Sequence, residues 1–179
     1  MAEKYQNTYR MQTARASWHN YDGGLYLITI CTQDRVHYFG EIENHEMHLS
    51  PIGRCAQMCW ESIPTHFPHV KISQFVVMPN HIHGILAIND PHKDYKTLDS
   101  KRPHNTFGPQ SLNLASVIRG FKIGVTAFAK KSGLSFKWQA RFHDHIIRNL
   151  DDWNRIVTYI ENNVGQWDMD EMNTSIENP

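Results

Sequence analysis

The sequence predicts an α+β fold in which helices cover an antiparallel sheet, and three observations carry that prediction. Segments 23–34, 70–80 and 81–88 are apolar runs of strand length, and only a tight turn at Pro79-Asn80 separates the last two. Residues 114–133 repeat apolar side chains at helical spacing. Helix and strand signals follow one another without an internal repeat over 179 residues, a length that fits one domain. The balance of 40% hydrophobic and 20% charged residues excludes disordered, collagen-like and mucin-like chains. No apolar run approaches the roughly 18 residues of a membrane span.

The elements follow in order. Residues 1–20 are polar with scattered aromatics and read as a loose N-terminal arm. In the next segment Leu25, Leu27, Thr29 and Cys31 alternate with Tyr26, Ile28 and Ile30. Both faces are apolar, as in a central strand covered on each side. Residues 38–50 read as a hairpin turning near Asn44. Ser50 caps a helix with Pro51 at its first position, and Pro64 and Pro68 stop it near Ile63. Cys55 and Cys59, four apart beside Met58 and Trp60, read as core packing rather than ligands. Strands at 70–80 and 81–88 form a hairpin. A polar loop at 89–112 follows, of a length that is often functional. The helix at 114–133 buries Leu114, Val117, Ile118, Phe121, Val125 and Phe128, with Gly133 as its C-terminal cap. Residues 136–148 read as a fourth strand. Residues 151–167 read as a last helix with Asp151 and Asp152 at its positive end. The core order, β-α-β-β-α-β, is the ferredoxin-like (split β-α-β) sandwich, with an extra hairpin and a C-terminal helix. The domain spans 21–167, and 168–179 is an acidic, frayed tail. Many functions occur on this architecture, so particular residues must decide.

The net charge of zero hides an asymmetry. Residues 91–150 sum to +8, against −2 for 1–90 and −6 for 151–179. A basic face for nucleic acid and a solvated helical flank both accommodate such a segment. Three cysteines are too few and odd in number for a disulfide scaffold, which points to a reducing compartment. The first 22 residues contain no apolar h-region, so no secretory signal is expected.

Three pairs of residues carry chemical possibilities. His81 and His83 lie at i and i+2 on a strand, so their imidazoles share a face roughly 7 Å apart and can converge on one divalent metal. Ile82 points to the core, and Gly84 leaves room beside the site for a backbone to approach. His143 and His145 have the same spacing, and spacing alone does not rank the two pairs. Tyr159 and Asn163, four apart, share a helical face. A tyrosine among Ile156, Val157 and Ile160 is normally a core residue with its hydroxyl satisfied at the rim.

The motifs Met-Pro-Asn-His-Ile-His-Gly at 78–84, Ile-Arg-Gly-Phe-Lys at 118–122, Trp-Gln-Ala-Arg-Phe-His-Asp-His at 138–145 and Tyr-Ile-Glu-Asn-Asn at 159–163 occur in that order, followed by Trp167. Together they resemble the single-tyrosine HUH transposases, in particular the REP-associated tyrosine transposases, from about Tyr21 to Trp167. The resemblance implies that His81 and His83 bind a divalent metal, that Tyr159 on the last helix is the nucleophile, and that Asn163 completes the metal site. Where that family commonly has proline after the paired asparagines, this chain has Val164-Gly165. That departure concerns how the helix ends rather than the chemistry.

The implied activity is a metal-dependent single-stranded DNA endonuclease and strand transferase acting on hairpin-bearing DNA through a 5′-phosphotyrosine. It would serve DNA transposition or the processing of repeated palindromes. A phenol with a pKa near 10 needs a polarised target, which Mg²⁺ or Mn²⁺ supplies. Single-stranded DNA wants basic residues for its phosphates and aromatics for its bases. Arg119, Lys122, Lys130, Lys131, Lys137, Trp138, Arg141 and Arg148 are the expected DNA-binding set. Lys93, Lys96, Lys101 and Arg102, with Tyr95 and Phe107, add to it from the loop. His143 and His145 read as strand residues near DNA or a dimer contact. A cytoplasmic, nucleoid-associated protein is expected, and monomer and homodimer both stay open. A non-catalytic nucleic-acid-binding protein and a hydrolytic metal-dependent phosphoesterase are the alternatives.

Overall fold

The structure, a computed structural model, describes residues 4–5, 8–9, 23–89 and 113–173. The expected loop lies outside the described residues from 90 to 112, and so does most of the N-terminal arm. Within the arm, β1 (Lys4–Tyr5) and β2 (Thr8–Tyr9) pair antiparallel. The chain then runs through β3 (Gly24–Cys31) and a 3₁₀ turn at Gln33–Arg35 to the hairpin β4 (Gly40–Glu43) and β5 (Glu46–Leu49). It continues through α1 (Pro51–Glu61), α2 (Ile63–His66), β6 (Val70–Val77), β7 (His81–Ile88) and α3 (Leu114–Lys131). It ends with β8 (His143–Ile146), α4 (Leu150–Asn162) and a 3₁₀ segment at Val164–Met169.

The main sheet has strand order β6-β7-β3-β8, and every pairing in it is antiparallel. Core strands one to four are β3, β6, β7 and β8, so the first and third lie side by side in the middle. That is the split β-α-β topology the sequence predicts, with β4–β5 as the extra hairpin.

Local chemistry accounts for the helix starts. Ser50 Oγ accepts the Gly53 amide at 3.0 Å, Asn113 Oδ1 the Ser116 amide at 3.1 Å, and Asn149 Oδ1 the Asp152 amide at 2.8 Å. At the other end of α3, Gly133 takes φ 68°, the left-handed conformation that closes a helix at little cost to glycine. The β4–β5 turn places Asn44 and His45 at φ 50° and 63°, as a tight hairpin requires.

The sheet has two covered faces. Tyr26, Ile28 and Ile30 of β3 and Ile82, Leu86 and Ile88 of β7 join Trp60, Val117, Phe121 and Val125 in the main core under α1 and α3. On the other face Ile85, Ile147, Ile156 and Ile160 form a smaller cluster beneath α4, with Leu25 and Leu27. The doubly apolar pattern of β3 is thereby explained. Cys55 and Cys59 are free thiols with sulfurs 3.8 Å apart, packed as expected.

The structure corrects several expectations. The fourth strand is short: Trp138 makes only an isolated bridge to Thr32, and the ladder resumes at His143. Lys122 Nζ donates to the carbonyls of Gln139 and Arg141 at 2.8 and 3.0 Å, which takes those groups out of sheet pairing. Gly84 does not open the site. It faces the main core, where a Cβ would run into the Trp60 ring. The last helix keeps α geometry only to Asn162. The acidic segment through Asn173 is not frayed, since Asn80 Nδ2 donates to the Met172 carbonyl at 2.8 Å and Asn173 Nδ2 to the Trp167 carbonyl at 3.1 Å.

Candidate active site

Period-two alternation on β7 sends Ile82 into the main core and His81 and His83 to the α4 face. Both rings are almost fully buried. Their centroids lie 4.6 Å apart. Cross-strand pairing sets Thr29 of β3 beside His83 and Cys31 beside His81. The amphipathic α4 buries Ile156 and Ile160 against the sheet. That seating brings Tyr159, one position before Ile160, over His83: its hydroxyl lies 2.9 Å from His83 Nε2. One turn later Asn163 is buried, near enough to His81 and Tyr159 to bear on the protonation of both. Trp167 closes the site, its ring centroid 6.0 Å from that of His81. The structure therefore brings together all four residues expected at the site: His81, His83, Tyr159 and Asn163.

The hydrogen bonds around the histidines have a direction. Asn80 Oδ1 can only accept, so His81 Nδ1–H donates to it at 2.8 Å. This tautomer leaves the lone pair of a neutral ring on Nε2, facing the site. Asn80 is itself held, because its Nδ2 donates to the carbonyls of Arg35 and Met172. Thr29 Oγ1 lies 2.9 Å from His83 Nδ1 and holds the second ring in place, a hydroxyl able to donate or accept there.

The electrostatics keep the site uncharged. Burial, helped by the neighbouring imidazole and the Arg35 guanidinium, pushes His81 down to about 2. Burial likewise lowers His83 to about 4, with Arg35 and His143 adding to the effect. Both rings are neutral at pH 7. Burial raises the Tyr159 phenol above its ordinary value, so it is protonated there. Among the described residues four buried side-chain polar atoms have no hydrogen-bond partner; two of them, His81 Nε2 and Asn163 Oδ1, lie in this site, and the other two are Trp60 Nε1 and His69 Nε2. Among the described residues no three His, Cys, Asp or Glu side chains converge. The donor set here is instead two imidazole nitrogens and an amide oxygen, a combination that suits a divalent ion accepting mixed N and O ligands.

The second histidine pair does not form an equivalent centre. His143 pairs opposite Thr29, on the same sheet face. His145 is held at the surface by Asp152, 2.8 Å away. The basic set divides in two. Arg119, Lys130, Lys131, Lys137, Arg141 and Arg148 are exposed. Lys122 is spent on backbone carbonyls, and burial lowers it to about 8. Trp138 packs against Phe39, Phe121 and Phe136 and donates its indole N–H to the Lys122 carbonyl, so it serves the fold.

Sequence reasoning missed Thr29, Asn80 and Arg35. Thr29 is the polar residue on the Leu25–Leu27 face of an apolar strand, and Asn80 is the polar residue buried in a hairpin turn. Those were readable signals. Arg35 left none.

No protein-family model matches the chain. An uncharacterised protein of Haemophilus influenzae is 38% identical over 178 residues, covering 96% of this chain and 98% of that one. Among solved structures, a REP-associated tyrosine transposase bound to a REP hairpin has a similar fold. Its TM-score is 0.58 at 21% identity, over 88% of this chain and 74% of that one. No helix among the described residues is long and apolar enough to cross a membrane.

Proposed function

We propose a function for this chain, which belongs to one family with the Haemophilus influenzae protein and has the fold of a REP-associated tyrosine transposase: it is a metal-dependent single-stranded DNA endonuclease and strand transferase that cleaves hairpin-bearing DNA through a 5′-phosphotyrosine. One observation carries the reading. A tyrosine hydroxyl, two neutral imidazoles and an amide converge on one sheet face, and two of their buried polar atoms are unpaired. Buried polar groups are mostly paired, so an unpaired imidazole nitrogen and amide oxygen beside a tyrosine hydroxyl favour a ligand there.

His81 Nε2, His83 Nε2 and Asn163 Oδ1 would hold Mg²⁺ or Mn²⁺, with His81 kept in the right tautomer by Asn80. When bound, the cation supplies the charge that polarises the scissile phosphate. Tyr159 is 41% exposed, so its oxygen reaches a strand lying over α4 while its ring stays against His83. The phenolic oxygen attacks phosphorus in line with the P–O3′ bond. The tyrosyl–phosphorus bond forms and the P–O3′ bond breaks. One proton leaves the phenol and one arrives at the 3′ oxygen. The energy of the phosphodiester stays in the covalent link, so a new 3′-hydroxyl can reverse the step without ATP. Of the exposed cations Arg141 lies beside the site and supplies a phosphate contact, whereas Arg119, Lys130 and Lys131 sit on α3 over the opposite sheet face.

Incubation with a hairpin-bearing oligonucleotide and Mn²⁺ tests the reading. A denaturant-resistant protein–DNA band is expected, and none from Tyr159→Phe. Turnover without that band would favour a hydrolytic phosphoesterase. An adduct that survives Tyr159→Phe would sink the assignment of the nucleophile.

A further inference from the structure

We propose that the cleft beside the histidine pair seats one nucleotide of the single strand, with Arg35 as the residue that holds its phosphate. The proposal rests on the reading above that the chain acts on DNA, and it names where the strand lies. A cavity of about 450 Å³ opens between β3, the turn that follows it and the segment leading into β8. That volume suits a nucleotide-sized ligand. Arg35, Arg141 and His143 on its wall suit a phosphate, and Phe142 suits a base. Among the described residues no carboxylate lines it. The cavity shares a sheet face with the candidate metal ligands. Its floor residues Thr29 and Cys31 are the cross-strand partners of His83 and His81, and His143 pairs across Thr29 from the other side.

Arg35 is placed there at a conformational cost. Asp34 and Arg35 take φ 54° and 58°, the left-handed region that side chains larger than glycine disfavour. Such residues are disfavoured and persist where their surroundings hold them. Here the holding groups are visible. Asn80 Nδ2 donates to the Arg35 carbonyl at 3.2 Å, and Thr32 Oγ1 to the Val36 carbonyl at 2.8 Å. Asn80 also fixes the tautomer of His81, so one amide couples the turn to the histidine pair.

The guanidinium reached by this strain has modest partners. Its Nη1 donates to Cys31 Sγ at 2.7 Å and to Met172 Sδ at 3.2 Å. Sulfur is a weak acceptor, whereas a phosphate oxygen makes a charge-assisted bond with twice the strength of a neutral one. A strained arginine resting on two sulfurs at the lip of this cavity is suited to exchange them for an anion.

The test measures binding without chemistry, in EDTA, to a fluorescent twenty-nucleotide oligothymidylate and to its uncharged methylphosphonate counterpart. Arg35→Gln is expected to weaken binding to the charged strand about tenfold. It should also reduce the slope of log affinity against log salt by about 0.7, the value for one phosphate contact on a single strand. Binding to the uncharged strand should not change. Arg35→Lys keeps the charge without the planar fork, and is expected to lose less affinity while keeping the salt slope. It also covers the case in which Arg35→Gln fails to fold. An unchanged salt slope in Arg35→Gln, or equal losses on both strands, would overturn the proposal and leave Arg35 a structural residue. In Arg35→Lys, a salt slope that fell with the affinity would do the same. Adduct formation is read separately. An adduct with no Arg35 dependence of binding fails this proposal alone, while Arg35-dependent binding without an adduct fails the transferase reading alone.

Discussion

The two faces of β7 are built from alternate residues of one eight-residue strand and are satisfied by opposite means. On the α1/α3 side, Ile82, Leu86 and Ile88 join a large apolar cluster, and Gly84 makes space for Trp60. On the α4 side, Ile85 starts an apolar cluster, but His81 and His83 are buried with polar atoms that the fold does not fully pair. The backbone, the burial and the strand are shared, so the difference is chemical. The α1/α3 face is filled by apolar side chains, with the Trp60 indole nitrogen also unpaired there, whereas the α4 face buries two imidazoles and an amide beside a phenol. Substitutions on the two faces should therefore separate activity from stability.

The largest separation is all-or-none. Tyr159→Phe keeps the ring and loses one hydrogen bond of roughly 1 kcal/mol, yet should abolish the covalent adduct on a denaturing gel. His81→Ala should abolish it too, with the fold retained by circular dichroism. Ile82→Ala, one residue away, should cost about 2–5 kcal/mol in denaturant unfolding while its folded fraction still forms adduct. Equal stability losses at 81 and 82, with activity kept at both, would erase the distinction between the faces.

Acid should expose the α4 face next. The folded pKa values of His81 and His83, about 2 and about 4, lie below the ordinary 6.5. The unfolded chain therefore binds more protons below pH 6.5, and stability present above that pH is lost as pH falls toward 4. Thermal melting followed from pH 7.5 to 4.5 should show this fall. The double variant His81→Leu/His83→Leu should flatten it, and an equally steep fall in that variant would place the acid sensitivity elsewhere.

The smallest effects concern metal. Asn163→Ala leaves the nucleophile and removes one ligand, so adduct yield should drop and recover in part at higher Mn²⁺. The Tyr159 hydroxyl occupies the same His83 nitrogen that a cation would use. Tyr159→Phe should therefore bind Mn²⁺ a few-fold more tightly by calorimetry, although it is inactive. Weaker binding would mean that the phenol helps to hold the ion.

Much of this arrangement was legible in the sequence because it depends on short periods. The i, i+2 spacing put both histidines on one strand face, and the i, i+4 spacing put Tyr159 and Asn163 on one helix face. Apolarity on both sides of β3 announced two covered faces. What stayed hidden depends on contacts between distant segments. Nothing near Lys122 tells that its ammonium ends on the carbonyls of Gln139 and Arg141, so it read as a phosphate contact and 136–148 read as one strand. Gly84 sits in the histidine motif, but the face that needs its small size belongs to Trp60, twenty-four residues earlier. Arg35 follows no periodic pattern, and its place depends on a left-handed turn held by Asn80, forty-five residues away.

The incomplete α4 face also has an evolutionary consequence. Its buried, unpaired nitrogen and amide oxygen stand where well-packed apolar side chains would be more favourable to folding. In a gene copy no longer selected for strand cleavage, His81, His83 and Asn163 are the positions where drift toward valine, leucine or methionine raises stability instead of lowering it. On the function proposed above, the histidine and amide cluster should therefore decay before the scaffold, leaving descendants that are sturdier and unable to cut.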